Sequence, residues 1–246
     1  MQRGPASYSI VKRVLDTLLS AGAILVLSPL LIVTAVVLKL TGEHLVLYRQ
    51  ERVGFNYRPI YVFKFVTMRS DSERYGTITR KNDSRVLPVG RLLRKAKINE
   101  LPQLFNIFLG HMAIVGPRPL VASEVAMYPE EIRHLVYLDN RPGLSGIGSL
   151  FFRDEDELIA ATGKPPEQAY REDIMPIKGA FELWYRDNRS LRIDFIIVLL
   201  TIWVVVNAAS APVTAAFARM PGFPGDALKR YRALCEQRAH HERSRL

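Results

Sequence analysis

Leu18–Leu38, LLSAGAILVLSPLLIVTAVVL, runs for 21 residues without a charge. As a helix rising 1.5 Å per residue it would extend roughly 32 Å, about one hydrocarbon thickness. It is a poor secretory leader: too long for an h-region, without a clean small-x-small cleavage site, and with Asp16 at its start. A simple spanning helix meets two objections. Ser28-Pro29 falls in the middle, where proline removes a backbone hydrogen bond and kinks or breaks a helix. Both flanks are also basic, with Arg3, Lys12 and Arg13 before and Lys39, Arg49, Arg52 and Arg58 after. A spanning helix carries its basic excess on one side. Two basic flanks suit a re-entrant helix-break-helix that enters and leaves by one, cytoplasmic, face, with Ser28 bonding a carbonyl freed at the bend. The residues rank this hairpin first, a spanning helix second and a buried core helix third.

The whole chain has 246 residues, 48% apolar and 24% charged, with a net charge of +10. That length suits one domain, with room for an appended element, and the composition argues against disorder. Near-zero mean hydropathy excludes a polytopic transporter. One cysteine, Cys235, excludes a disulfide framework and a Cys-rich zinc site. The positive excess calls for an anionic partner: nucleic acid, anionic lipid or a phosphorylated substrate.

Between the apolar stretch and a second one, Phe195–Val206, the chain reads as an α/β mixture dominated by short helices. Strands are expected at Val46–Tyr48 and Ile60–Phe65, and helices at Val89–Lys97 and Gln103–Phe108, the latter opened by Pro102. Val115–Pro119 reads as a rigid loop, Ala122–Asn140 as helical and Arg141–Gly143 as a turn. Short helices are expected at Asp154–Ala161 and Pro166–Ile174, and Phe181–Arg186 begins another. There is no βαβ alternation and no Rossmann or Walker glycine pattern. Phe195–Val206, about 18 Å of helix, is too short to span and reads equally as core or as an interfacial segment. The end, from Lys229 with Arg230 to Arg245, reads as an exposed basic helix or a frayed tail.

Arg80, Lys81, Arg85, Arg91, Arg94, Lys95 and Lys97 crowd the run before Asn99-Glu100, opposed there only by Asp83 and Glu100. A solvated basic face is one reading and a phosphate-binding surface the other, since guanidinium forks match phosphate oxygens. No aromatic residues interleave with the run in the manner of nucleic-acid readers. Asn99-Glu100 stands just before a proline-opened helix. Glu100 could cap that helix, pair with Lys97, or hold Mg²⁺ beside a phosphate. Arg118, between two prolines, is held on a stiff loop. Asp154–Glu157 reads as a solvated helix start.

In order, the chain carries Val11–Asp16, the apolar stretch with Ser28-Pro29, Arg49–Gly54, Phe63–Met68, Gly90–Lys95, Glu100–Leu104, Val115–Pro119, Arg141–Gly146 and Asn188–Leu191. Each motif is weak alone. The ordered set, over roughly residues 10–205, resembles the bacterial sugar transferases, the monotopic phosphoglycosyl transferases, in a minimal form without extra N-terminal membrane helices.

The resemblance implies transfer of a sugar-1-phosphate from a UDP-sugar to undecaprenyl phosphate, with release of UMP and a requirement for Mg²⁺. This reaction starts polysaccharide, O-antigen or protein-glycan assembly. It implies an enzyme of the bacterial inner membrane, monotopic, with its site on the cytoplasmic face. Its partners would be the two substrates and membrane lipid, with no nucleic acid, and a homodimer is admitted. The expected layout is a membrane hairpin over 1–40 broken at Ser28-Pro29, a catalytic domain with interfacial helices over 41–206, and a basic extension over 207–246. By match to the family, Glu100 holds the metal and Lys64, Arg94 and Arg118 serve phosphates.

Three departures accompany the match. The family's dyad is Asp-Glu, the Asp being the nucleophile, and here that position is Asn99. An amide is a poor nucleophile toward phosphorus. Glu100 could take over as nucleophile, the acceptor phosphate could attack directly, the chain could be inactive, or an Asp could have been replaced by design. The preferred expectation is an active enzyme with altered chemistry, and the rival is a non-catalytic membrane scaffold or binding protein. Val66 stands where relatives usually have Arg, with Arg69 near enough to compensate. Gly146–Asp154 replaces a Trp/Ala-Gln run, which leaves donor identity open and offers Arg153 as a phosphate ligand.

Overall fold

The computed structural model describes residues 6–70, 84–207 and 211–243. Arg3, Arg80, Lys81, Asp83 and Arg245, counted above, lie outside the described residues.

Helix α1 covers Ala6–Leu40, and its helical assignment runs through Ser28-Pro29 without interruption. Pro29 has no N–H to offer the carbonyl of Leu25. Ser28 Oγ donates to that carbonyl at 2.8 Å instead, as the sequence leads one to expect. Residues along nearly the whole helix pack on the rest of the protein. Ala23, Ile24 and Leu27 meet Val62, Leu104, Ile107 and Met112. Leu31, Ala35 and Leu38 meet Phe65, Leu93 and Leu101. The other side of α1 is bare: Leu18, Leu19, Leu25, Val26, Ile32, Val33 and Val36 are exposed.

Strands β1 (Leu47–Val53) and β2 (Pro59–Phe65) form an antiparallel hairpin in which Leu47 faces Phe65 and Val53 faces Pro59. β1 reaches well past Tyr48, because its partner strand supplies the ladder for charged residues that carry no strand signal. Helices α2 (Pro88–Lys95) and α3 (Gln103–Leu109) start where Pro88 and Pro102 place them. Gly110, with φ +86°, ends α3.

The helix expected over 122–140 is two short turns, α4 (Ala122–Val125) and α5 (Glu130–Arg133). Pro129 between them disfavours helical backbone at the residue before it. These turns cross from β3 (Ala113–Val115) to β4 (Gly143–Ser145), which pair in parallel. One βαβ crossover is therefore present. Strands of three residues are too short to show a period in the sequence. The remaining helices are α6 (Ile147–Phe151), α7 (Glu155–Ala161), α8 (Pro166–Ala169), α9 (Met175–Asn188), α10 (Leu191–Asn207), α11 (Ala211–Ala218) and α12 (Gly225–Arg243).

The main core joins α6, α9, α10, α11 and α12. Phe151 packs on Phe181 with ring centroids 4.5 Å apart and on Tyr231 of α12 at 5.0 Å. Tyr231 also donates its hydroxyl to the Phe151 carbonyl at 2.8 Å. The basic C-terminal helix thus has a packed apolar face, and Arg238 on it pairs with Asp154 at 3.1 Å. In α10, Ile197 and Val204 are buried while Phe195, Leu199, Ile202, Trp203 and Val206 are exposed.

Candidate active site

Lys64 lies near the end of β2, Arg94 in the last turn of α2, and Arg118 on the loop after β3. Glu100 closes a single 3₁₀ turn, Ile98–Glu100, between α2 and α3. Lys97, in left-handed backbone at φ +58°, swings the chain from α2 into that turn. Local signals, a proline start for each helix and a sharp link between them, therefore set Glu100 at the mouth of α3.

The loop that carries Arg118 is tied down on several sides. Gly116 donates its N–H to Ser145 at 2.9 Å, and Gly143 donates to Pro117 at 2.8 Å. A Cβ on Gly116 would lie 2.1 Å from the Arg141 carbonyl, so only glycine permits this approach. The Tyr137 hydroxyl donates to the Arg118 carbonyl at 2.5 Å. Beneath the loop, Arg52 reaches the Pro119 carbonyl and the Glu124 carboxylate, both at 3.3 Å. Nothing in the sequence marks Glu124 or Tyr137 as supports of Arg118, and Arg52 reads there only as a basic flank and a motif residue.

Glu100 stands among cations, with Glu124, Glu155 and Asp156 further out. Arg118 Nη2 stands 3.8 Å from Glu100 Oε1. Burial pushes the Glu100 carboxyl up, but Arg118, Lys64, Lys97 and Arg94 together hold it below the ordinary range. Burial drives the Lys64 ammonium down to about 8; Glu100 opposes this, while Arg118, Arg52 and Arg94 add to it. The guanidinium of Arg118 is raised by Glu100, against burial. Its side chain keeps 41% of its surface open, against 18% for Glu100, so it remains available to a ligand. Asn99 is buried, and its Oδ1 has no hydrogen-bond partner among the described residues.

Among the described residues no group of three or more His, Cys, Asp or Glu could hold a metal. Mg²⁺ does not require one, since it is commonly held by one or two protein oxygens plus substrate phosphates and waters. The ionised Glu100 and the unpartnered Asn99 oxygen are hard donors of that kind. The residues fit a magnesium ion that arrives with a phosphate, whose charge would offset the surrounding cations.

Lys64, Arg94, Glu100 and Arg118 thus come together, with Asn99 beside Glu100 in the chain. Arg153 is engaged elsewhere: it donates to the Val204 carbonyl near the end of α10 at 2.5 Å. Val66 is buried, and Arg69 is exposed. The acidic run does open α7, yet Glu155 turns inward to Lys178 at 2.6 Å.

A long apolar helix thus packs along a small α/β body that brings Lys64, Arg94 and Arg118 around Glu100. The chain belongs to the bacterial sugar transferase family, whose sequence model matches residues 7–208. It is 34% identical over 210 residues to the UDP-N-acetylgalactosamine-undecaprenyl-phosphate N-acetylgalactosaminephosphotransferase of Aeromonas hydrophila, covering 83% of this chain and 45% of that protein. It is 32% identical over 198 residues to the UDP-glucose:undecaprenyl-phosphate glucose-1-phosphate transferase of Klebsiella pneumoniae, covering 79% and 40%. It is 34% identical over 203 residues to the exopolysaccharide production protein PSS of Rhizobium leguminosarum bv. phaseoli, covering 78% and 94%. The chain thus spans less than half the length of the first two relatives and nearly all of the third.

Proposed function

We propose that this protein transfers a sugar-1-phosphate from a UDP-sugar to undecaprenyl phosphate at the cytoplasmic face of the inner membrane, releasing UMP. The observation that carries this reading is the convergence of Lys64, Arg94 and Arg118 around the ionised Glu100 in a member of this family. The three cations hold the diphosphate of the donor and the phosphate of the acceptor. Phosphoryl transfer asks chiefly for positioning and charge neutralisation, which such a cluster supplies. Glu100, with the Asn99 oxygen, would hold Mg²⁺. When bound, the ion neutralises charge developing on the phosphate oxygens.

Asn99 is neutral and cannot serve as a carboxylate nucleophile. An acceptor phosphate oxygen therefore attacks the phosphorus that bears the sugar. The bond from that phosphorus to the bridging oxygen breaks, and UMP leaves with the bond's electron pair. One observation, the amide at position 99, favours a second reading, a protein that binds these phosphates without catalysis.

Membrane placement rests on α1, which is long and apolar enough to cross a bilayer by length and composition. Contacts with the body near both ends, at Lys12 and at Leu38, favour a helix that returns to the face it left.

UMP release by purified protein with undecaprenyl phosphate, Mg²⁺ and a panel of UDP-sugars tests the reading. Wild type is expected to release UMP with a matching donor, and Glu100→Gln to lose that activity. Release unaffected by Glu100→Gln would remove its assigned role, and no release with any donor favours the binding protein. Acid quenching with radiolabelled donor is expected to leave no label on wild type. Label on the protein would mark Glu100 as nucleophile and overturn direct attack.

A further inference from the structure

Three stretches that the chemistry at Glu100 does not use, Val11–Asp16, Arg141–Gly143 and Asn188–Leu191, meet at a cavity of about 40 Å³. Four cations line it, Lys12, Arg13, Arg141 and Arg189, against two carboxylates, Asp16 and Asp139, for a net +2 by side-chain charge. One water needs roughly 10–15 Å³ measured in this way, so the space holds a few waters or the oxygens of one phosphate group.

The cations are held in place by bonds that leave donors over. Arg13 gives two N–H groups to the last carbonyls of α3, Ile107 at 2.7 Å and Phe108 at 2.8 Å. Arg141 Nε donates to the Gly110 carbonyl at 3.2 Å. Lys12 sits 2.8 Å from Asp194. Arg189 Nη1 donates to the Asp139 carbonyl, but its buried Nε has no partner among the described residues. A guanidinium has five donors, and one left unsatisfied in a buried position is costly. Burial and then the charge of Arg13 lower the Arg141 pKa, against Asp16, so the two guanidiniums repel. A bound anion would relieve both strains.

The surroundings identify the kind of anion. Phe108 and Leu109, at the end of α3 whose carbonyls Arg13 and Arg141 hold, and Leu191, two residues after Arg189, are exposed apolar side chains. A ligand seated there has apolar groups attached to its phosphate. The cavity also lies at the C-terminal end of α3, whereas Glu100 precedes its N-terminal end. Lys64, Arg94 and Arg118 do not line it.

We propose that this cavity binds the phosphate of an anionic glycerophospholipid, separately from the substrates. The proposal rests on the membrane placement of α1 given above.

Full-length protein in detergent is titrated with phosphatidylglycerol and, separately, with inorganic phosphate, and bound ligand is counted by native mass spectrometry. One tightly bound phosphatidylglycerol is expected. Arg189→Gln and Arg141→Gln are each expected to weaken it about tenfold or more, the scale of one lost charge-assisted bond. Ser9→Glu places a carboxylate at the cavity without removing any bond described above, and is expected to exclude the lipid with the melting temperature unchanged. This variant decides the matter if the arginine variants fold poorly. Phosphatidylglycerol binding unchanged by Ser9→Glu overturns the proposal. Inorganic phosphate binding as tightly as the lipid overturns the lipid assignment. UMP release is measured on the same samples. Wild type that binds the lipid here but releases no UMP refutes the transferase reading alone, and the opposite result refutes the lipid site alone.

Discussion

Lys178 Nζ lies 2.6 Å from Glu155 Oε1, and the pair ties the start of α7 to the first turn of α9. The Lys178 side chain is 3% exposed and that of Glu155 24%. The Glu155 charge also raises the pKa of Arg118, after the larger effect of Glu100, so the pair borders the phosphate cluster. Glu155 directly follows the Gly146–Asp154 segment.

Lys178→Met leaves Glu155 without its partner. Breaking a buried pair costs roughly 3–5 kcal/mol, and the partial exposure of Glu155 reduces this to about 2 kcal/mol. Thermal denaturation is expected to show a lower midpoint for Lys178→Met and partial recovery for Lys178→Met with Glu155→Gln. A single variant that melts like wild type would show that the pair contributes nothing.

Glu182, one turn further along α9, accepts the Gly148 N–H at 3.2 Å through Oε1, while its buried Oε2 has no partner among the described residues. Burial raises its carboxyl to about 7, against Lys178 and the Gly148 N–H. The native state thus keeps a proton that the unfolded chain loses near 4.5. The group's contribution to stability is complete below that value and disappears as pH rises through about 7. Glu182→Gln is expected to melt above wild type at pH 8 and close to it at pH 4. Equal melting of the two proteins at pH 8 contradicts this.

Lys64, driven down to about 8 by burial, is an ammonium below that pH and neutral above it. If it holds donor phosphate, kcat/KM for the UDP-sugar falls as pH rises past about 8. Lys64→Arg keeps its charge and is expected to remove that alkaline limb. Lys64→Met is expected to lower kcat/KM by about 10- to 100-fold below pH 8, from the loss of a charge-assisted bond. An unchanged limb in Lys64→Arg assigns the titration to another group.

Pro29→Ala restores a backbone donor to the Leu25 carbonyl, which Ser28 Oγ now serves. An α1 without a proline in its middle is expected to favour crossing over return. Single cysteines at Ser9 and Thr41, in a background without Cys235, read this out with an impermeant thiol reagent. Both are expected to label from the cytoplasmic side in wild type, and the Ser9 position to become protected or outward-facing in Pro29→Ala. Opposite labelling of the two sites in wild type would overturn the re-entrant reading.

Everything the residues specified unaided is local. The Ser28 bond spans three residues, α2 and α3 begin at their own prolines, and Asn99-Glu100 stands beside the basic run in the chain itself. The cations Lys64, Arg94 and Arg118 were named from motif order, yet only folding sets them around one carboxylate. The same holds for the parallel β3–β4 pair, the Arg52 and Tyr137 supports under Arg118, and the packing of Tyr231 on Phe151. In each case the partners lie far apart in the chain and carry no shared period, so contact depends on how apolar faces of distant elements bury one another. Short-range hydrogen bonding and proline geometry are written residue by residue, whereas the phosphate cluster and the cavity beneath α1 exist only once long-range burial has joined their parts.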